Sequence, residues 1–246
     1  MSPNITPIEH AVLDPRLAPP FPQAALPVLR NPQLRKNVAH AMDVIQAKRA
    51  RLVEEKRDWQ ALRTAAAAIR EHALENLGFY LEQFEERCTA AGGAVHWAAD
   101  AAEARRIVLD LLRQENATEV IKIKTMTSAE IQLNPFLEGN GICATETDLA
   151  EIILQLGDGE PSHIVVPALH VNRSQVREIF ARRMGLPELS DDPQALTAAA
   201  RKYLREKFLS VPIAISGANF LVAETGAVTV VESEGNGRMC LTLPRT

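Results

Sequence analysis

Short apolar segments alternate with longer amphipathic segments from residue 94 onward, and this alternation restricts the fold more than any other feature of the sequence. Short strands joined through helices favour a parallel sheet, because parallel neighbours need a crossover connection of a dozen or more residues. We therefore predict an α/β fold in which a mostly parallel sheet is flanked by helices. The predicted strands cover residues 94–98, 119–124, 142–145 and 163–166, and the predicted helices cover 101–114, a segment from 128, 148–156, 172–185 and 193–209.

Three of the helical segments carry residues that typically begin a helix. Thr127 with Glu130, and Asn172 with Gln175, have the spacing of a capping box, in which each side chain bonds the backbone N–H of the other residue. Thr147 is a third candidate cap, for the helix that follows it. We expect these residues to fix where the three helices begin.

The sequence divides into three regions. Residues 1–30 are rich in proline and are predicted to form an extended arm. Residues 31–93 have the pattern of two or three helices, with breaks expected near Asp58 and Asn76. Residues 94–246 make up the predicted α/β domain.

Three glycine-bearing polar clusters interrupt the apolar segments near the end of the chain. They are Ser216-Gly217, Glu224-Thr225-Gly226 and the segment from Ser233 to Arg238. Glycine at such positions permits positive φ or a close approach of the backbone to a ligand. The segments between the clusters are predicted to be strands that form a closing antiparallel hairpin, with strands dominating to the end of the chain.

Polar residues follow several of the predicted strands, and ligands of open parallel sheets bind beyond the carboxyl ends of strands. We therefore predict one site at this edge of the sheet, with the hairpin and the last glycine loop closing over it. A lysine or arginine there would bind an anion, and a histidine or carboxylate would move a proton. The predicted catalytic residues are His170, Glu224 and Glu234, and the predicted substrate- or anion-binding residues are Lys124, Thr125, Thr147, Asp148, Ser216, Gly217, Thr225, Gly226, Asn236 and Arg238.

Most of these residues also have a purely structural interpretation. Lys124 fits a solvated strand end, and Thr147 with Asp148 fit the start of a helix, where capping and the helix dipole favour them. His170 fits a hydrogen-bonded structural histidine. The segment from Glu224 to Gly226 fits a plain hairpin turn.

Charge, hydropathy and cysteine usage exclude several classes of function. The formal net charge is −4, and binding of nucleic acid normally needs a concentrated basic face, so no nucleic-acid partner is predicted. No apolar run of about 18 residues is present, so no membrane span is predicted, and the cytoplasm is the expected location. The three cysteines form no CxxC pair and the histidines have no metal-ligand spacing, so we predict no metal and no cofactor in this chain. Cys143 is expected to be a small core residue in the middle of a strand.

The segments at the predicted strand ends resemble the LUD domain family, and in particular the lactate-utilisation iron–sulfur proteins of the LutB-like type. The helical segment from about residue 31 to residue 93 is similar to the N-terminal region of that family. The resemblance is carried, in this order, by Lys122 to Met126, Glu146 to Leu156, Pro161 to His170, Ala223 to Gly226 and Glu234 to Met239.

The resemblance implies a fold related to the group of ribose-phosphate isomerase, glucosamine-phosphate deaminase and CoA transferase (NagB/RpiA/CoA-transferase-like). It also implies that the chain, with other lactate-utilisation subunits, takes part in oxidising L-lactate to pyruvate, and a homo-oligomer is compatible with it. In that family, cysteine runs that bind 4Fe-4S clusters lie downstream of the LUD domain. The iron–sulfur clusters are therefore implied for a longer parent protein, and the isolated chain is expected to be inactive.

Two other functions remain open at this point. The first is a non-catalytic scaffold that docks the oxidoreductase subunits through the arm and the N-terminal helices. The second, by analogy of fold alone, is a CoA-transferase-like enzyme for small carboxylates, in which Glu234 would form an acyl intermediate.

Overall fold

The computed structural model describes residues 19–164 and 166–246, and these ranges contain eleven helices and five strands. The helices are α1 (Phe21–Leu29), α2 (Pro32–Glu54), α3 (Trp59–Glu75), α4 (Leu77–Ala90), α5 (Ala101–Gln114), α6 (Met126–Glu130), α7 (Leu133–Gly139), α8 (Leu149–Gly157), α9 (Arg173–Arg183), α10 (Pro193–Ser210) and α11 (Asn236–Thr242). The strands are β1 (Glu119–Lys122), β2 (Cys143–Glu146), β3 (Ala214–Ile215), β4 (Phe220–Val222) and β5 (Ala227–Thr229).

Strands β1, β2 and β3 form a parallel sheet in the order β2-β1-β3. Val120, Ile121 and Ala144 in this sheet are completely buried, as is typical of a parallel sheet that is covered by helices on its faces. Helices α7 and α8 contact β2, and α11 contacts β3. The predicted α/β fold, a parallel sheet flanked by helices, is thus confirmed, and β4 and β5 form the predicted antiparallel hairpin.

Side-chain caps fix the start of several helices. Asn172 accepts a hydrogen bond from the backbone of Gln175, and Gln175 accepts one in return, so the predicted capping box of α9 is confirmed. Asp100 caps α5 in the same way, through the N–H of Glu103. Asp192 accepts hydrogen bonds from two N–H groups in the first turn of α10. Each cap satisfies donors that the helix itself leaves without a partner.

The other two predicted caps are wrong. Helix α6 begins at Met126, before Thr127, and it ends after one turn, so no capping box forms with Glu130. Gln132 follows with a positive φ of 53°, which interrupts the helix before α7. Thr147 does not cap α8, because its hydroxyl donates to the carbonyl oxygen of Lys122 instead.

Two predicted strands are absent from the described residues. Residues 94–98 form no regular element, and Trp97 among them is 55% exposed. They pair with none of the strands in the described part of the chain. The described residues of 163–166 form bends, since the N–H of Val166 donates to His163 Nδ1 at 3.0 Å rather than to a neighbouring strand.

The C-terminal residues also differ from expectation. The segment after Gly235 was predicted as a loop followed by strands, but Asn236–Thr242 is the helix α11. Gly235 begins this helix with a φ of 88°, a conformation that favours glycine. Cys143 is not a core residue in mid-strand: it is the first residue of β2, and it is exposed.

The N-terminal region contains the predicted helices, and the breaks near Asp58 and Asn76 separate α2, α3 and α4 as expected. Residues 21–29, predicted as part of an extended arm, form helix α1, while residues 1–18 of that arm lie outside the described residues. Helices α1, α2 and α3 contain no buried residue. The divisions of the chain at residues 30 and 93 stay predictions. Among the described residues, no helix combines the length and apolar character that crossing a membrane would require.

Candidate functional site

The carboxyl end of β1 is joined to the start of α8 by two contacts of Lys124. Its backbone N–H donates to Asp148 Oδ2 at 2.6 Å, and its ammonium group lies 2.9 Å from Glu151 Oε1. Burial raises the pKa of the Glu151 carboxyl, and the hydrogen bond and charge of Lys124 oppose that rise. Lys124 is therefore more than a solvated strand end, since both its backbone and its side chain connect two elements.

Thr147 joins the sheet to helix α11. Its side chain is almost completely buried, and its Oγ1 donates to the carbonyl oxygen of Lys122 at 2.7 Å. The same Oγ1 accepts a hydrogen bond from Asn236 Nδ2 at 3.2 Å and lies 3.6 Å from Cys240 Sγ. Burial raises the pKa of Cys240 to about 11, so its thiol is neutral at physiological pH. Thr147 and Asn236, which are both predicted site residues, therefore lie beside each other.

Glu234 provides a carboxylate at the N-terminus of α8. Its Oε2 accepts a hydrogen bond from the N–H of Leu149, the first residue of that helix, at 3.0 Å. Backbone N–H groups in the first turn of a helix have no partner inside the helix, and the helix dipole favours negative charge there. The loop before α11 is therefore held against the end of the sheet through a carboxylate.

The end of β3 approaches the end of β1 at Gly217. A Cβ added to this glycine would lie 2.8 Å from Thr125 Cβ and 2.9 Å from Thr125 Oγ1. Real Cβ atoms do not approach other atoms so closely, so glycine is needed for this contact. Ser216 lies next to it, and its hydroxyl donates to the carbonyl oxygen of Gly217 at 2.8 Å.

Arg238 lies in the first turn of α11. Its backbone N–H donates to Glu232 Oε2 at 3.3 Å, and a Cβ added to Gly237 would lie 2.9 Å from the same oxygen. The side chain of Arg238 is exposed and forms no ion pair within the described part of the chain. Its guanidinium group is therefore accessible to an anion in solution.

These contacts bring together seven predicted site residues, which we call the strand-end cluster. The residues of the strand-end cluster are Lys124, Thr125, Thr147, Asp148, Gly217, Glu234 and Asn236. Ser216 and Arg238 adjoin it in sequence. The cluster contains one ammonium group, two carboxylates, and two hydroxyl groups and one amide that can form neutral hydrogen bonds. Its seventh member is a glycine.

His170 has its contacts elsewhere. Its Nδ1 lies 2.6 Å from Ser162 Oγ, and its carbonyl oxygen accepts a hydrogen bond from Asn37 of α2 at 2.9 Å. Among the described residues, none of its hydrogen bonds reaches the strand-end cluster. These contacts match the alternative interpretation of a hydrogen-bonded structural histidine, while its predicted catalytic role stays a prediction.

The segment from Glu224 to Gly226 forms the turn between β4 and β5 and packs against α4. The N–H groups of Thr225 and Gly226 donate to the carbonyl oxygen of Val222. Gly226 has a φ of 71°, and a Cβ added to it would lie only 2.3 Å from the backbone nitrogen of Cys88. The glycine thus permits the turn to contact the backbone of a helix, and no hydrogen bond of Glu224 connects it to the strand-end cluster among the described residues.

A buried ion pair lies directly below the strand-end cluster and was not included in the predicted site. Lys122 and Glu146, which are opposite each other in the β1–β2 register, form a 2.8 Å ion pair, and we call them the buried dyad. Lys122 also donates to Ser128 Oγ at 2.9 Å, and Asn134 Nδ2 donates to Glu146 Oε1 at 2.7 Å. A lysine inside the apolar segment 120–123 was the available signal, because a buried charge requires a partner.

The cysteines do not provide a site for an iron–sulfur cluster. Three cysteines cannot supply the four thiolates that such a cluster requires. Cys88 is half-buried on α4, Cys143 is exposed on β2, and Cys240 is buried in α11. The described residues contain no group of three or more histidine, cysteine or carboxylate side chains suited to hold a metal ion.

Comparison with known families shows to which family the chain belongs. The sequence profile of the LUD domain matches residues 81–246, which include every element of the strand-end cluster. The chain belongs to the LUD domain family.

Curated relatives cover more of the chain than the LUD profile does. An Escherichia coli protein named "Uncharacterized electron transport protein YkgF" is 45% identical over 218 residues, which is 89% of this chain and 46% of that protein. "Lactate utilization protein B" of Bacillus velezensis is 43% identical over 217 residues, 88% of this chain and 45% of that protein. The Bacillus subtilis protein of the same name is 42% identical over the same shares. The chain therefore spans about half the length of these relatives.

No solved structure matches the chain significantly. The implied relationship to the ribose-phosphate isomerase, glucosamine-phosphate deaminase and CoA-transferase group therefore stays a prediction.

Proposed function

We propose that this LUD domain is the part of a lactate-utilisation oxidoreductase that binds a small carboxylate, L-lactate or pyruvate, at the strand-end cluster. The observation that carries the proposal is the 42–43% identity with proteins named "Lactate utilization protein B", which extends over 88% of the chain. The LUD-domain match, residues 81–246, spans the residues of the cluster.

The chemistry of the cluster is suited to a carboxylate ligand. Arg238 has an exposed guanidinium group, and arginine binds carboxylates through two parallel hydrogen bonds. The N–H of Leu149 at the start of α8 already donates a hydrogen bond to a carboxylate within the chain, that of Glu234. A ligand carboxylate would compete with Glu234 for this N–H group or would bind beside it.

The proposed reaction of the whole protein is the oxidation of L-lactate to pyruvate, which releases two electrons and two protons. The residues of this chain would bind and orient the carboxylate and accept a proton, with Glu234 of the strand-end cluster as the candidate base. The electron acceptor would be supplied by 4Fe-4S clusters held by a longer parent protein that works with other lactate-utilisation subunits. The three cysteines of this chain do not fit such a cluster, so no step here is assigned to it.

Calorimetric titration of the purified chain with L-lactate and with pyruvate tests the proposed binding. At least one of the two should bind, and Arg238→Gln should weaken its binding by roughly 10- to 150-fold, since a charge-assisted hydrogen bond contributes roughly 1.5–3 kcal/mol. Arg201→Gln is the matched control, because Arg201 is exposed on α10, outside the cluster. Absence of binding, or equal affinity in both variants, would refute the proposal.

A scaffold that docks other subunits is the second candidate function, and the N-terminal helices favour it. Helices α1, α2 and α3 bury no residue, and even their apolar side chains are exposed: Phe21 by 82% and Ile69 by 70%. Exposed apolar side chains on helices are typical of surfaces that bind protein. If alanine at Lys124, His170 and Arg238 leaves both assembly and activity of the complex intact, the scaffold function is correct and the binding function is wrong.

A further inference from the structure

The parallel sheet has two edges, and the edge of β2 is closed by a side chain. Gln155 of α8 accepts a hydrogen bond from the N–H of Glu146 at 3.0 Å and donates one to the carbonyl oxygen of Ala144 at 2.6 Å. The backbone groups of these two residues point away from β1, because Cys143 and Thr147 on either side donate toward β1. The amide of Gln155 thus bonds the groups that a neighbouring strand would otherwise bond, and it blocks this edge.

The edge of β3 is bonded by backbone instead. The N–H of Thr246 donates to the carbonyl oxygen of Pro212 at 3.1 Å, and the N–H of Ala214 donates to the carbonyl oxygen of Thr246 at 2.9 Å. These two bonds lie on either side of Ile213, which is the hydrogen-bond pattern of a parallel ladder. Thr246 therefore lies beside β3 as one residue of a parallel strand would.

The next two backbone groups along this edge are open. Backbone groups of successive residues in a strand point to opposite sides, and β1 donates to the carbonyl oxygens of Ile213 and Ile215. The C=O of Ala214 and the N–H of Ser216 therefore point away from β1, and neither has a hydrogen-bond partner within residues 19–164 and 166–246. We call these two groups the open edge of β3. Unpaired groups of this kind are a template for another strand.

We propose that the open edge of β3 binds a further parallel strand that continues from Thr246 and belongs to the longer parent protein. The register follows from the bonds of Thr246, which lies opposite Ile213. The second residue after Thr246 would lie opposite Ile215, donate to the C=O of Ala214 and accept from the N–H of Ser216. The inference rests on the longer parent protein proposed above and does not depend on which ligand binds.

The added strand would extend the proposed carboxylate site. The carboxyl ends of parallel strands lie at one edge of a sheet, and ligands bind beyond them. Ser216 and Gly217 follow β3, and Gly217 packs against Thr125 of the strand-end cluster. The residues that follow the added strand would therefore lie beside Ser216, so the parent protein would supply a further side of the site.

Amide hydrogen exchange, measured by NMR on this chain and on the parent protein, tests the proposal. The Ser216 amide should exchange at least about 100-fold more slowly in the parent protein, because exchange of a hydrogen-bonded amide requires the structure to open. The Ala214 amide is the matched control, since it already donates to Thr246 and should be protected in both proteins. Equal exchange of the Ser216 amide in the two proteins, or a natural protein without residues beyond Thr246, would overturn the proposal.

A pair of proline variants of the parent protein tests the register. Proline at the second residue after Thr246 removes the N–H that would donate to Ala214, and it should lower the midpoint of urea denaturation. Proline at the first residue after Thr246 is the matched control, because that N–H would point away from β3, and its midpoint should fall less. Equal midpoints would contradict the register, and if either variant fails to fold, the exchange experiment decides.

Sedimentation of the isolated chain tests the competing occupant, a second copy of this chain. The expected result is that the Ser216 amide exchanges at the same rate at low and at high protein concentration, and that no dimer protects it. A dimer whose formation slows exchange of the Ser216 amide would overturn the proposal, because the second copy would then occupy the open edge of β3.

Discussion

The N-terminal helices and the sheet edge of this protein differ in what they bury. Helices α1 to α3 bury no residue at all. At the sheet edge, in contrast, the polar residues Lys122, Glu146, Thr147 and Asn236 are each less than a tenth exposed. Most of the stability of a helix in a protein comes from packing of its apolar face, whereas buried polar residues impose one arrangement through their hydrogen bonds.

This difference distinguishes a region with one fixed geometry from a region whose surface could adapt to a partner protein. The sheet edge is held in one geometry by contacts between β1, β2, α8 and α11. The surfaces of the helices are available for contact with another protein surface. The comparison predicts that substitutions at the sheet edge change the free energy of unfolding strongly and that substitutions on α1 to α3 change it little.

Breaking the buried dyad should have the largest effect on stability. Glu146→Ala leaves the Lys122 ammonium buried without its partner, and loss of one member of a buried pair costs about 3–5 kcal/mol. Urea denaturation should show this decrease in the free energy of unfolding. Glu86→Ala, at an exposed position of α4, is the control and should behave as the unaltered chain. A Glu146→Ala variant as stable as the control would contradict the account of the sheet edge.

The turn that contacts α4 should show the next largest effect. Gly226→Ala would place a methyl group 2.3 Å from the Cys88 nitrogen at a φ of 71°. Positive φ and the clash should together lower the free energy of unfolding by about 2–3 kcal/mol or more. Gly78→Ala is the matched control, since no atom lies within 4 Å of its added Cβ, and it should stabilise the chain by about 0.5–1 kcal/mol. Equal effects of the two substitutions would show that the turn does not pack on α4.

The sequence predicted the parallel strands β1 and β2 and most of the helices because periodic apolar residues report burial directly. It also predicted that Lys124, Thr147 and Asn236 lie at one edge, since the carboxyl ends of parallel strands coincide. It could not predict that 94–98 lacks a strand partner, because strand pairing depends on which segments meet in the folded chain and not on one segment alone. The Lys122–Glu146 pair was missed for the same reason: register is a property of two strands together.

Ionisation of the Glu151 carboxyl with rising pH should have a smaller effect on the stability of the fold. Burial raises the pKa of this carboxyl above its usual value of 4.5, despite the opposing effect of Lys124. The folded state then binds the proton more tightly than the unfolded state, so ionisation of Glu151 reduces stability as pH rises through the raised pKa. Glu151→Gln should therefore gain stability relative to the unaltered chain between pH 4.5 and neutrality, measured by denaturation across pH. The control Glu86→Gln should show no such trend, and a trend of opposite sign for Glu151→Gln would mean that the Lys124 pair dominates.

The smallest effect is expected on the exposed helix α3. Ile69→Ala removes a side chain that is 70% exposed, so the free energy of unfolding should change by no more than about 0.5 kcal/mol. Ile121→Val in the completely buried centre of β1 removes a single methylene and should cost about 0.5–1.5 kcal/mol. If the exposed substitution costs more than the buried one, α3 is covered in the isolated chain and the comparison fails.

The most direct test of the carboxylate site is an NMR titration of the isotope-labelled chain with L-lactate and with pyruvate. The account predicts that the amide signals of Lys124, Leu149 and Arg238 shift together with a single affinity, while those of α1 to α3 stay unchanged. Shifts confined to the segment around His170, or no shifts at any concentration, would contradict the assignment of the site to the ends of β1, β2 and β3.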